Sequence, residues 1–403
     1  MPLWLVALRH ALPWLVAPLY IWWRSRDRVT LDDYPAAAPP DAPFVRVVVP
    51  ARNEARNIAR CVASVLATTY PRLELVVVDD HSDDDTGARA SAAAAGDPRF
   101  DLLVPDPLPP GWMGKQWACA SGAQAFGAPG GVADSEILLF ADADTVHAPD
   151  LVARMVAALR ARGAALLSVA GTQEMGTAWE KLVQPQVFAV IAGRYGGADR
   201  VSRARRTVDK IANGQCLMMT RDAYERVGTH AAVRDVVVED LKLAQRTHAL
   251  GLPVHLVRGE AQLSTRMYTS LGELVAGWRK NVFAGGREAM PLGALGRLIF
   301  PVLLVFPAVA QLWPLARLGM AAVAPDTVSP AETLGMGIAL AATLGFWAAV
   351  YYRVKLSPLW ALAFPVGAVL YLVIALQAMA RGQRVEWRGR EYHSAVGATI
   401  AGA

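Results

Sequence analysis

Residues 137–144 read Ile-Leu-Leu-Phe-Ala-Asp-Ala-Asp, an apolar run that ends in two carboxylates. The apolar run predicts a buried strand, and in an extended chain the two-residue spacing places Asp142 and Asp144 on the same side. Mg²⁺ and Mn²⁺ prefer oxygen ligands and are commonly held by one or two carboxylates together with substrate phosphates. The pair therefore indicates a metal site for a phosphorylated ligand, with solvated aspartates in a turn as the alternative.

The sequence around this pair alternates apolar runs with helical patterns from residue 44 to about residue 292. This alternation is typical of an α/β fold with a mostly parallel sheet. Apolar runs predict strands at 45–49, 73–78, 137–141 and 166–170. Apolar residues at helical spacing predict helices at 54–67, 115–125 and 149–162.

Composition places this α/β region in a membrane protein. The 403 residues are 54% hydrophobic and only 19% charged, the mean hydropathy is +0.28 and the formal net charge is +5. Disorder, a fibrous structure and nucleic-acid binding are excluded by these values. Three cysteines in no ligand spacing argue against a disulfide framework or a zinc ribbon.

Apolar segments long enough to cross a bilayer flank the α/β region on both sides. Residues 3–23 precede Arg24, Arg26 and Arg28, which predicts a membrane anchor, with a cleaved signal peptide as the alternative. Three further segments are predicted to span at 298–324, 334–352 and 359–380. A permease is excluded because it has no use for some 250 residues of α/β domain.

Polar residues follow the first two predicted strands. Val-Val-Val-Pro-Ala-Arg-Asn-Glu at 47–54 forms a strand-to-helix turn, whose backbone N–H groups favour an anion such as a diphosphate. The second strand runs into Val-Val-Asp-Asp-His-Ser-Asp-Asp-Asp-Thr at 77–86, which places carboxylates at the neighbouring strand end. A helix cap or turn is the alternative role for the Asp-Asp pair.

Three charged residues outside the strand ends are further candidates for chemistry. Glu239 and Asp240 precede a predicted helix, where N-terminal capping is the alternative to catalysis. Lys115 stands in the first turn of another predicted helix, and either contacts phosphate or is solvated. Transfer of a group to a hydroxyl needs a base for the hydroxyl proton and a positive charge for the leaving group. Asp240 and Lys115 could supply them.

Taken together and in this order, the motifs resemble those of the family 2 glycosyltransferases, which have a nucleotide-sugar-binding GT-A domain. The resemblance covers residues 44–290 and rests on Val-Pro-Ala-Arg-Asn-Glu at 49–54, Val-Asp-Asp-His-Ser-Asp-Asp at 78–84, Asp-Ala-Asp at 142–144 and Val-Glu-Asp at 238–240. It implies that Asp80 contacts the nucleotide base, Asp142 lies near the ribose and diphosphate, Asp144 ligates the metal and Asp240 is the catalytic base.

Further segments resemble bacterial membrane glycosyltransferases of the carotenoid-acid and hopanoid-associated type and, more distantly, ceramide glucosyltransferases. They are Gly-Trp-Met-Gly-Lys-Gln-Trp-Ala at 111–118, Arg-Met-Tyr at 266–268, Gly-Trp-Arg-Lys-Asn at 277–281 and Val-Glu-Trp-Arg-Gly-Arg-Glu-Tyr at 385–392. Many relatives carry Gln-x-x-Arg-Trp near the acceptor site, whereas this chain has Gly-Trp-Arg-Lys. This departure disfavours a processive polysaccharide synthase.

These observations assign an expected role to each candidate residue. Asp240 and Glu239 are expected to be catalytic, Asp144 and Asp142 to hold Mg²⁺ or Mn²⁺, and an amphipathic helix to serve the acceptor and the diphosphate. The donor-site residues are Pro50, Arg52, Asn53, Glu54, Asp80, Lys115 and Asp142, and the acceptor-side residues are Trp278, Arg279 and Lys280.

The expected activity is metal-dependent, inverting transfer of a hexose from a nucleotide diphosphate sugar to a lipid such as a carotenoid, hopanoid or other isoprenoid. The expected donor is a UDP-sugar. The alternatives are a processive polysaccharide synthase and a non-catalytic membrane scaffold that retains the fold. The expected partners are the sugar donor, the lipid acceptor and the membrane, with no nucleic acid and no obligate protein partner. The expected location is the bacterial inner membrane, with several crossings and a cytoplasmic catalytic domain.

The same observations predict six segments along the chain. They are an N-terminal membrane anchor at 1–28, a linker at 29–43, a GT-A glycosyltransferase domain at 44–265, an amphipathic interfacial segment at 266–292, C-terminal membrane helices at 293–380 and a basic tail at 381–403.

Overall fold

The protein, seen in a computed structural model, is described for residues 1–124, 137–381, 384–387 and 390–393. It divides into two compact units. The α/β unit comprises Asp27–Glu174, Ala198–Met267 and Gln383–Ala403, and the helical unit comprises Met1–Arg26, Met175–Gly197 and Tyr268–Gly382. Of the predicted basic tail at 381–403, only the backbone of 381, 384–387 and 390–393 is described, so residues 388–389 of its motif at 385–392 lie outside the described residues.

The strands belong to three sheets. They are β1 (Val45–Ala51), β2 (Leu73–Asp79), β3 (Phe100–Leu103), β4 (Ile137–Ala141), β5 (Thr145–His147), β6 (Leu166–Ala170), β7 (Thr172–Gln173), β8 (Cys216–Thr220), β9 (Val254–Arg258), β10 (Leu263–Thr265), β11 (Arg384–Trp387) and β12 (Arg390–His393).

The α-helices of the described residues are α1 (Leu3–Arg24), α2 (Ile58–Leu66), α3 (Thr86–Ala94), α4 (Gly114–Gln124), α5 (Leu151–Ala161), α6 (Ala178–Tyr195), α7 (Ala198–Arg203), α8 (Arg221–Arg226), α9 (Glu239–Ala249), α10 (Leu271–Glu288), α11 (Gly293–Val323), α12 (Pro330–Arg353) and α13 (Phe364–Arg381). Short 3₁₀ turns lie at Leu31–Asp33, Thr207–Asp209, His230–Val233, Pro325–Thr327 and Pro358–Ala363.

The central sheet has the order β3-β2-β1-β4-β8-β6-β9. All neighbouring strands in it pair in parallel except β8, which runs antiparallel to both β4 and β6. The predicted α/β class with a mostly parallel sheet is confirmed. The chain adds strands on one side of β1 and then returns to place β4 on the other. Ligands of open α/β sheets bind outside the carboxyl ends of the strands at such a reversal.

Helices cover both faces of this sheet, which explains why its strands are continuous apolar runs. Val47 and Val49 of β1 pack into the core with α2 and α5, whereas Val48 packs into the core with α4, α8 and α9. Helix α4 approaches closely because Gly122 has no side chain. A Cβ atom there would lie 2.5 Å from a methyl carbon of Val48.

All four predicted strands are confirmed, whereas β3, β8 and β9 of the central sheet were not predicted. Helix α2 begins at Ile58, not at residue 54 as predicted, because Asn53 has a left-handed φ of 52° and residues 54–57 form a turn, in which the Glu54 carbonyl accepts the N–H of Asn57.

The helical unit contains four helices that are long and apolar enough to cross a membrane: Leu3–Arg24, Gly293–Val323, Pro330–Arg353 and Pro358–Ala380. Helix α1 packs on α12 through small residues. Ala7 and Ala11 are fully buried, and a Cβ on Gly335 would lie 2.6 Å from the Ala7 carbonyl oxygen.

Prolines interrupt the backbone hydrogen bonding of α6 and α11 in the helical unit. A proline at position i leaves the carbonyl of residue i−4 without its usual N–H donor. Pro314 of α11 frees the carbonyl of Ala310, which accepts the indole N–H of Trp14 at 2.8 Å. Pro185 of α6 frees the carbonyl of Lys181, which accepts the hydroxyl of Tyr351 at 3.0 Å. Side chains of neighbouring helices thus satisfy both carbonyls, as an apolar environment requires.

Replacing Tyr351 by Phe should destabilise the helical unit by about 1 kcal/mol, because the Lys181 carbonyl would lose its donor while buried. The measurement is the unfolding temperature of the detergent-solubilised protein. Tyr352→Phe is the matched control, since the Tyr352 side chain is 76% exposed. Equal unfolding temperatures for the two variants would contradict the assigned role of the Tyr351 hydroxyl.

Candidate active site

A cleft opens at the carboxyl ends of β1 and β4, where the order of strand addition reverses. Strand β1 contributes Pro50, and β4 runs directly into Asp142. The first turns of α4 and α9 contribute charged residues from other parts of the chain. The lining residues are Pro50, Lys115, Cys119, Phe140, Ala141, Asp142, Gly214, Leu217, His230, Glu239, Asp240 and Leu243.

Lys115 joins two carboxylates that are far apart in sequence. Its Nζ lies 2.7 Å from Oδ1 of Asp142 and 2.7 Å from Oε1 of Glu239. Glu239 is buried, with 7% of its surface exposed, and Lys115 and Asp142 are partly exposed in the cleft. The ammonium therefore links the end of β4 to the start of α9.

The electrostatics of this pair follow from burial and charge. Burial alone would raise the pKa of Glu239, but the adjacent Lys115 ammonium outweighs it and the pKa lies below the ordinary value. Burial would lower the pKa of Lys115, yet the charges of Asp142 and Glu239 raise it well above its ordinary value. Glu239 and Lys115 are therefore both charged at neutral pH.

Asp240 lies beside this pair and is fixed by two backbone N–H groups. Its Oδ2 accepts the N–H of Gly214 at 2.8 Å, and its Oδ1 accepts the N–H of Leu241 at 2.7 Å. Burial, followed by the charge of Glu239, raises the pKa of Asp240 to about 6. Each carboxylate oxygen retains a further lone pair, so Asp240 can still accept a proton.

Antiparallel pairing of β8 with β4 brings Gly214 to this position. Because β8 starts where β4 ends, Gln215 accepts the N–H of Asp142 through its carbonyl at 3.2 Å, and Gly214 precedes it in the cleft. A Cβ on Gly214 would lie 3.0 Å from Oδ2 of Asp240. The absence of a side chain at 214 thus allows the contact with Asp240.

Asp144 lies one residue beyond Ala143, next to the small sheet β5-β10-β7. The hydroxyl of Thr265 in β10 donates to its Oδ1 at 3.2 Å. Burial, and then the negative charges of Asp142 and Glu54, raise the pKa of Asp144 to about 7. Within residues 1–124 and 137–381, no three His, Cys, Asp or Glu side chains are grouped so that they could hold a metal by themselves.

The predicted donor-site residues at 50–54 join the loop after β2. The guanidinium of Arg52 donates to the carbonyls of Asp80 and His81, both at 2.6 Å, and pairs with Asp83 at 3.3 Å. Asp80 is 1% exposed and donates its backbone N–H to the Ala51 carbonyl. The structure thus places Asp80 beside the end of β1.

Backbone N–H groups in this turn already have partners. Those of Asn53, Glu54 and Ala55 donate to side-chain oxygens of the loop after β2: Ser82 at 3.0 Å, Thr86 at 2.8 Å and Asp84 at 3.2 Å. The interpretation of these three groups as an anion-binding turn is therefore wrong. Their hydrogen bonds fix the two loops to each other instead.

The predicted acceptor-side residues belong to α10 in the helical unit. Trp278 is 6% exposed and packs edge-on against Phe188 of α6 at 5.6 Å between ring centroids, with Tyr268 at 6.1 Å. Arg279 and Lys280 are half-buried. The apolar face of α10 therefore packs on protein, and its predicted interfacial position stays a prediction.

Sequence reasoning missed three residues of the site. Gly214 and Thr265 reach Asp240 and Asp144 only through the pairing of β8 and β10, and neither strand was among those predicted from the sequence. His230 is buried in the cleft wall at the start of a 3₁₀ turn. Its one sequence signal is its place ten residues before Asp240.

The mainly parallel sheet with helices on both faces is a GT-A-like fold. Residues 46–228 match the family model described as Glycosyl transferase family 2. This part of the chain is therefore similar to a family 2 glycosyltransferase domain, as its motifs predicted.

Similar proteins include two staphylococcal enzymes named 4,4'-diaponeurosporenoate glycosyltransferase. The one from Staphylococcus haemolyticus is 25% identical over 252 residues, which are 61% of this chain and 63% of that protein, less than two thirds of its length. The one from Staphylococcus aureus strain MRSA252 is 24% identical over 372 residues, covering 86% of this chain and 87% of that protein.

A solved structure shares the fold. The mannosyltransferase PcManGT from Pyrobaculum calidifontis, in complex with GDP-Man and Mn²⁺, aligns with a TM-score of 0.53 at 22% identity. The alignment covers 93% of this chain and 99% of that one.

Lys115→Met should destabilise the protein by about 3 kcal/mol, because removing the ammonium leaves Asp142 and Glu239 as adjacent, partly buried carboxylates. The measurement is the unfolding temperature in detergent. Arg226→Met is the control, since it breaks an exposed pair with Asp222 and should have almost no effect. If both variants lose the same small amount, the link between β4 and α9 is not important for stability.

Proposed function

We propose that this protein transfers a hexose from a nucleotide diphosphate sugar, preferably a UDP-sugar, to a lipid acceptor at a membrane with inversion at the transferred carbon. The observation that carries the proposal is the cleft in which Lys115 bridges Asp142 and Glu239 at 2.7 Å each, with Asp240 beside them. A base and a positive charge stand together there, at the strand ends where ligands of such sheets bind.

In this proposal Asp240 acts as the general base. The acceptor oxygen forms a bond to the anomeric carbon while the bond from that carbon to the diphosphate oxygen breaks. Asp240 takes the acceptor hydroxyl proton, and the nucleoside diphosphate leaves with the bonding electron pair. The two backbone N–H groups on Asp240 hold the carboxylate in place, and its pKa of about 6 keeps it mostly ionised at neutral pH.

Lys115 is proposed to stabilise the leaving diphosphate. Its ammonium already lies against Asp142, the residue expected near the ribose and diphosphate, and it stays protonated because its pKa is raised well above the ordinary value. A fixed positive charge aimed at the developing negative charge lowers the barrier of the chemical step. Glu239 holds this ammonium from the other side.

Asp144 and Asp142 fit a divalent cation of the Mg²⁺ or Mn²⁺ type. Burial, followed by the negative charges of Asp142 and Glu54, raises the pKa of Asp144 to about 7, and a bound cation would offset these charges. Since two carboxylates alone do not complete a coordination shell, diphosphate oxygens would supply further ligands. When bound, the metal would supply charge neutralisation at the diphosphate. The Pyrobaculum mannosyltransferase was solved with Mn²⁺.

The donor is proposed to lie along the ends of β1 and β2. Pro50 lines the cleft, and Arg52, Asn53 and Glu54 fix the loop that carries Asp80, the residue proposed to contact the base. These contacts support a positioning role for 52–54, because the side chains and N–H groups hold the two loops together.

A lipid acceptor is supported by the helical unit and by the staphylococcal relatives, which are named for a carotenoid acid. Large apolar side chains on α11 are exposed, among them Leu298 at 75% and Val302 at 65%, as expected for contact with lipid. Trp278, Arg279 and Lys280 remain the proposed acceptor and diphosphate side.

The proposed location is a bacterial inner membrane with the α/β unit on the cytoplasmic side. The six segments predicted from the sequence remain the proposed domain boundaries.

The test is release of nucleoside diphosphate from a panel of nucleotide sugars by membranes containing the protein, with Mn²⁺ or with EDTA. Asp240→Asn should lower lipid-stimulated release by about 10³-fold, because the amide cannot accept the proton. Asp222→Asn, at an exposed surface position, is the control. Binding of UDP should persist in both variants.

If no nucleoside diphosphate is released from any donor and UDP does not bind, the proposed transferase activity is wrong. The non-catalytic membrane scaffold is then the supported interpretation. Release coupled to formation of a long polymer would support the processive synthase instead. Undiminished release in the Asp240→Asn variant would remove Asp240 from its role as base.

The pH profile should follow the ionisation of Asp240. Because burial raises its pKa to about 6, kcat/KM should fall about tenfold for each pH unit below about 6. The free energy of unfolding depends on pH in the opposite direction to the rate. Because the folded state binds the Asp240 proton more tightly than the unfolded chain does, protonation of Asp240 stabilises the fold as the pH falls through about 6. Unfolding temperatures measured in parallel therefore separate the two effects. A flat rate between pH 5 and 7 would contradict the assignment.

A further inference from the structure

His230 belongs to the wall of the active-site cleft, although none of the steps above uses it. It lines the same cleft as Lys115, Glu239 and Asp240 and is 2% exposed. The charges of Glu239 and Lys115 both act on the pKa of its imidazole, which is consistent with its position beside them. A polar ring so close to the base and the ammonium requires an explanation.

The ring is held rigidly. It packs edge-on against Phe140 at 4.6 Å between ring centroids, and its Nδ1 lies 2.8 Å from the hydroxyl oxygen of Tyr224. The same oxygen accepts the backbone N–H of His230 at 3.2 Å. Phe140 belongs to β4 and Tyr224 to α8, so the central sheet and a covering helix position the ring together.

These partners are compatible with the tautomer in which Nε2 carries the ring proton. The buried Tyr224 hydroxyl needs an acceptor, and Nδ1 of His230 lies in hydrogen-bonding position for it. With Nδ1 as acceptor, the ring proton is on Nε2. Burial lowers the pKa of His230 to about 4, so the imidazole is neutral. Nε2–H is therefore a single fixed donor, and none of the hydrogen bonds among the described residues engages it.

We propose that the Nε2–H of His230 and the carboxylate of Glu239 together bind one hydroxyl group of the sugar that is transferred. A hydroxyl accepts one hydrogen bond and donates another, so it matches a neutral N–H donor beside a carboxylate acceptor. This inference rests on the proposed sugar transfer and names the group that the cleft would recognise.

The rest of the cleft lining is largely apolar. Phe140, Leu217 and Leu243 are at most 4% exposed and form an apolar wall, and Asp240 is proposed to act on the acceptor. A ligand whose hydroxyl is missing at the matching ring position would leave both His230 and Glu239 without a partner. Sites built around such polar pairs reject the deoxy analogue strongly.

The experiment measures kcat/KM for the nucleotide hexose that the donor panel identifies, starting with UDP-glucose, and for its monodeoxy analogues. Binding of UDP alone is measured beside it. The variants are His230→Ala, which removes the donor, His230→Gln, which restores an N–H near the Nε2 position, and Tyr224→Phe, which removes the group that fixes the tautomer. His248→Gln is the control, because His248 also bonds through Nδ1, to Thr207 at 3.0 Å, but does not line the cleft.

The wild-type protein should discriminate against one monodeoxy donor by about 10⁴-fold. His230→Ala should lose most of that discrimination while its affinity for UDP stays unchanged. His230→Gln should keep most of the discrimination between the two donors, and Tyr224→Phe should keep an intermediate fraction of it. The His248→Gln control should discriminate as the wild type does. A merely structural role would not produce this selectivity for one ring position.

The inference fails if His230→Ala discriminates against every analogue as the wild type does, or if it loses UDP affinity and all donors equally. Should His230→Ala not fold, the test uses His230→Gln and Tyr224→Phe. The quantity compared with the wild type is the ratio of kcat/KM for the complete donor to kcat/KM for the monodeoxy donor. Absence of transfer by the wild-type protein would overturn the proposed function itself, whereas transfer with unchanged discrimination in the variants would overturn the inference alone.

Discussion

The contact of the Lys115 ammonium with Asp142 and Glu239 is the constraint on which the site depends. Without this charge the cleft would hold three carboxylates from two parts of the chain, and their mutual repulsion would separate β4 from α9. With it, the pKa of Glu239 lies below the ordinary value, whereas burial and the charge of Glu239 raise the pKa of Asp240. Because the Lys115 ammonium contacts Glu239 directly, the two adjacent carboxyl groups have pKa values shifted in opposite directions.

A reversed strand gives the site its geometry. Because β8 runs antiparallel to β4, its first residues lie where β4 ends, and Gly214 can donate to Asp240. A fully parallel sheet would place the start of every strand at the opposite edge. The small sheet acts in the same way for Asp144, because β10 brings Thr265 to it. The base and the proposed metal ligand are therefore both positioned by elements outside their own motifs.

The helical unit obeys the rule that buried backbone groups need partners. Pro185 and Pro314 would each leave a carbonyl unsatisfied in an apolar environment, and an aromatic side chain of a neighbouring helix donates to each. Prolines are therefore compatible with long helices in this unit. Arg317, a charged residue within the apolar helix α11, pairs with Glu332 of α12 at 2.6 Å.

The sequence by itself determined the α/β class, the four apolar strands, the apolar helices and the motifs with Asp80, Asp142, Asp144 and Asp240, because periodicity and strand-end carboxylates are local features. Only the tertiary structure decided that Lys115 bridges two carboxylates, that the N–H groups after β1 are occupied by the neighbouring loop, and that Gly214 and His230 belong to the cleft. These contacts join residues up to about 125 positions apart, and no local pattern encodes them, since they arise from strand order and the antiparallel pairing of β8.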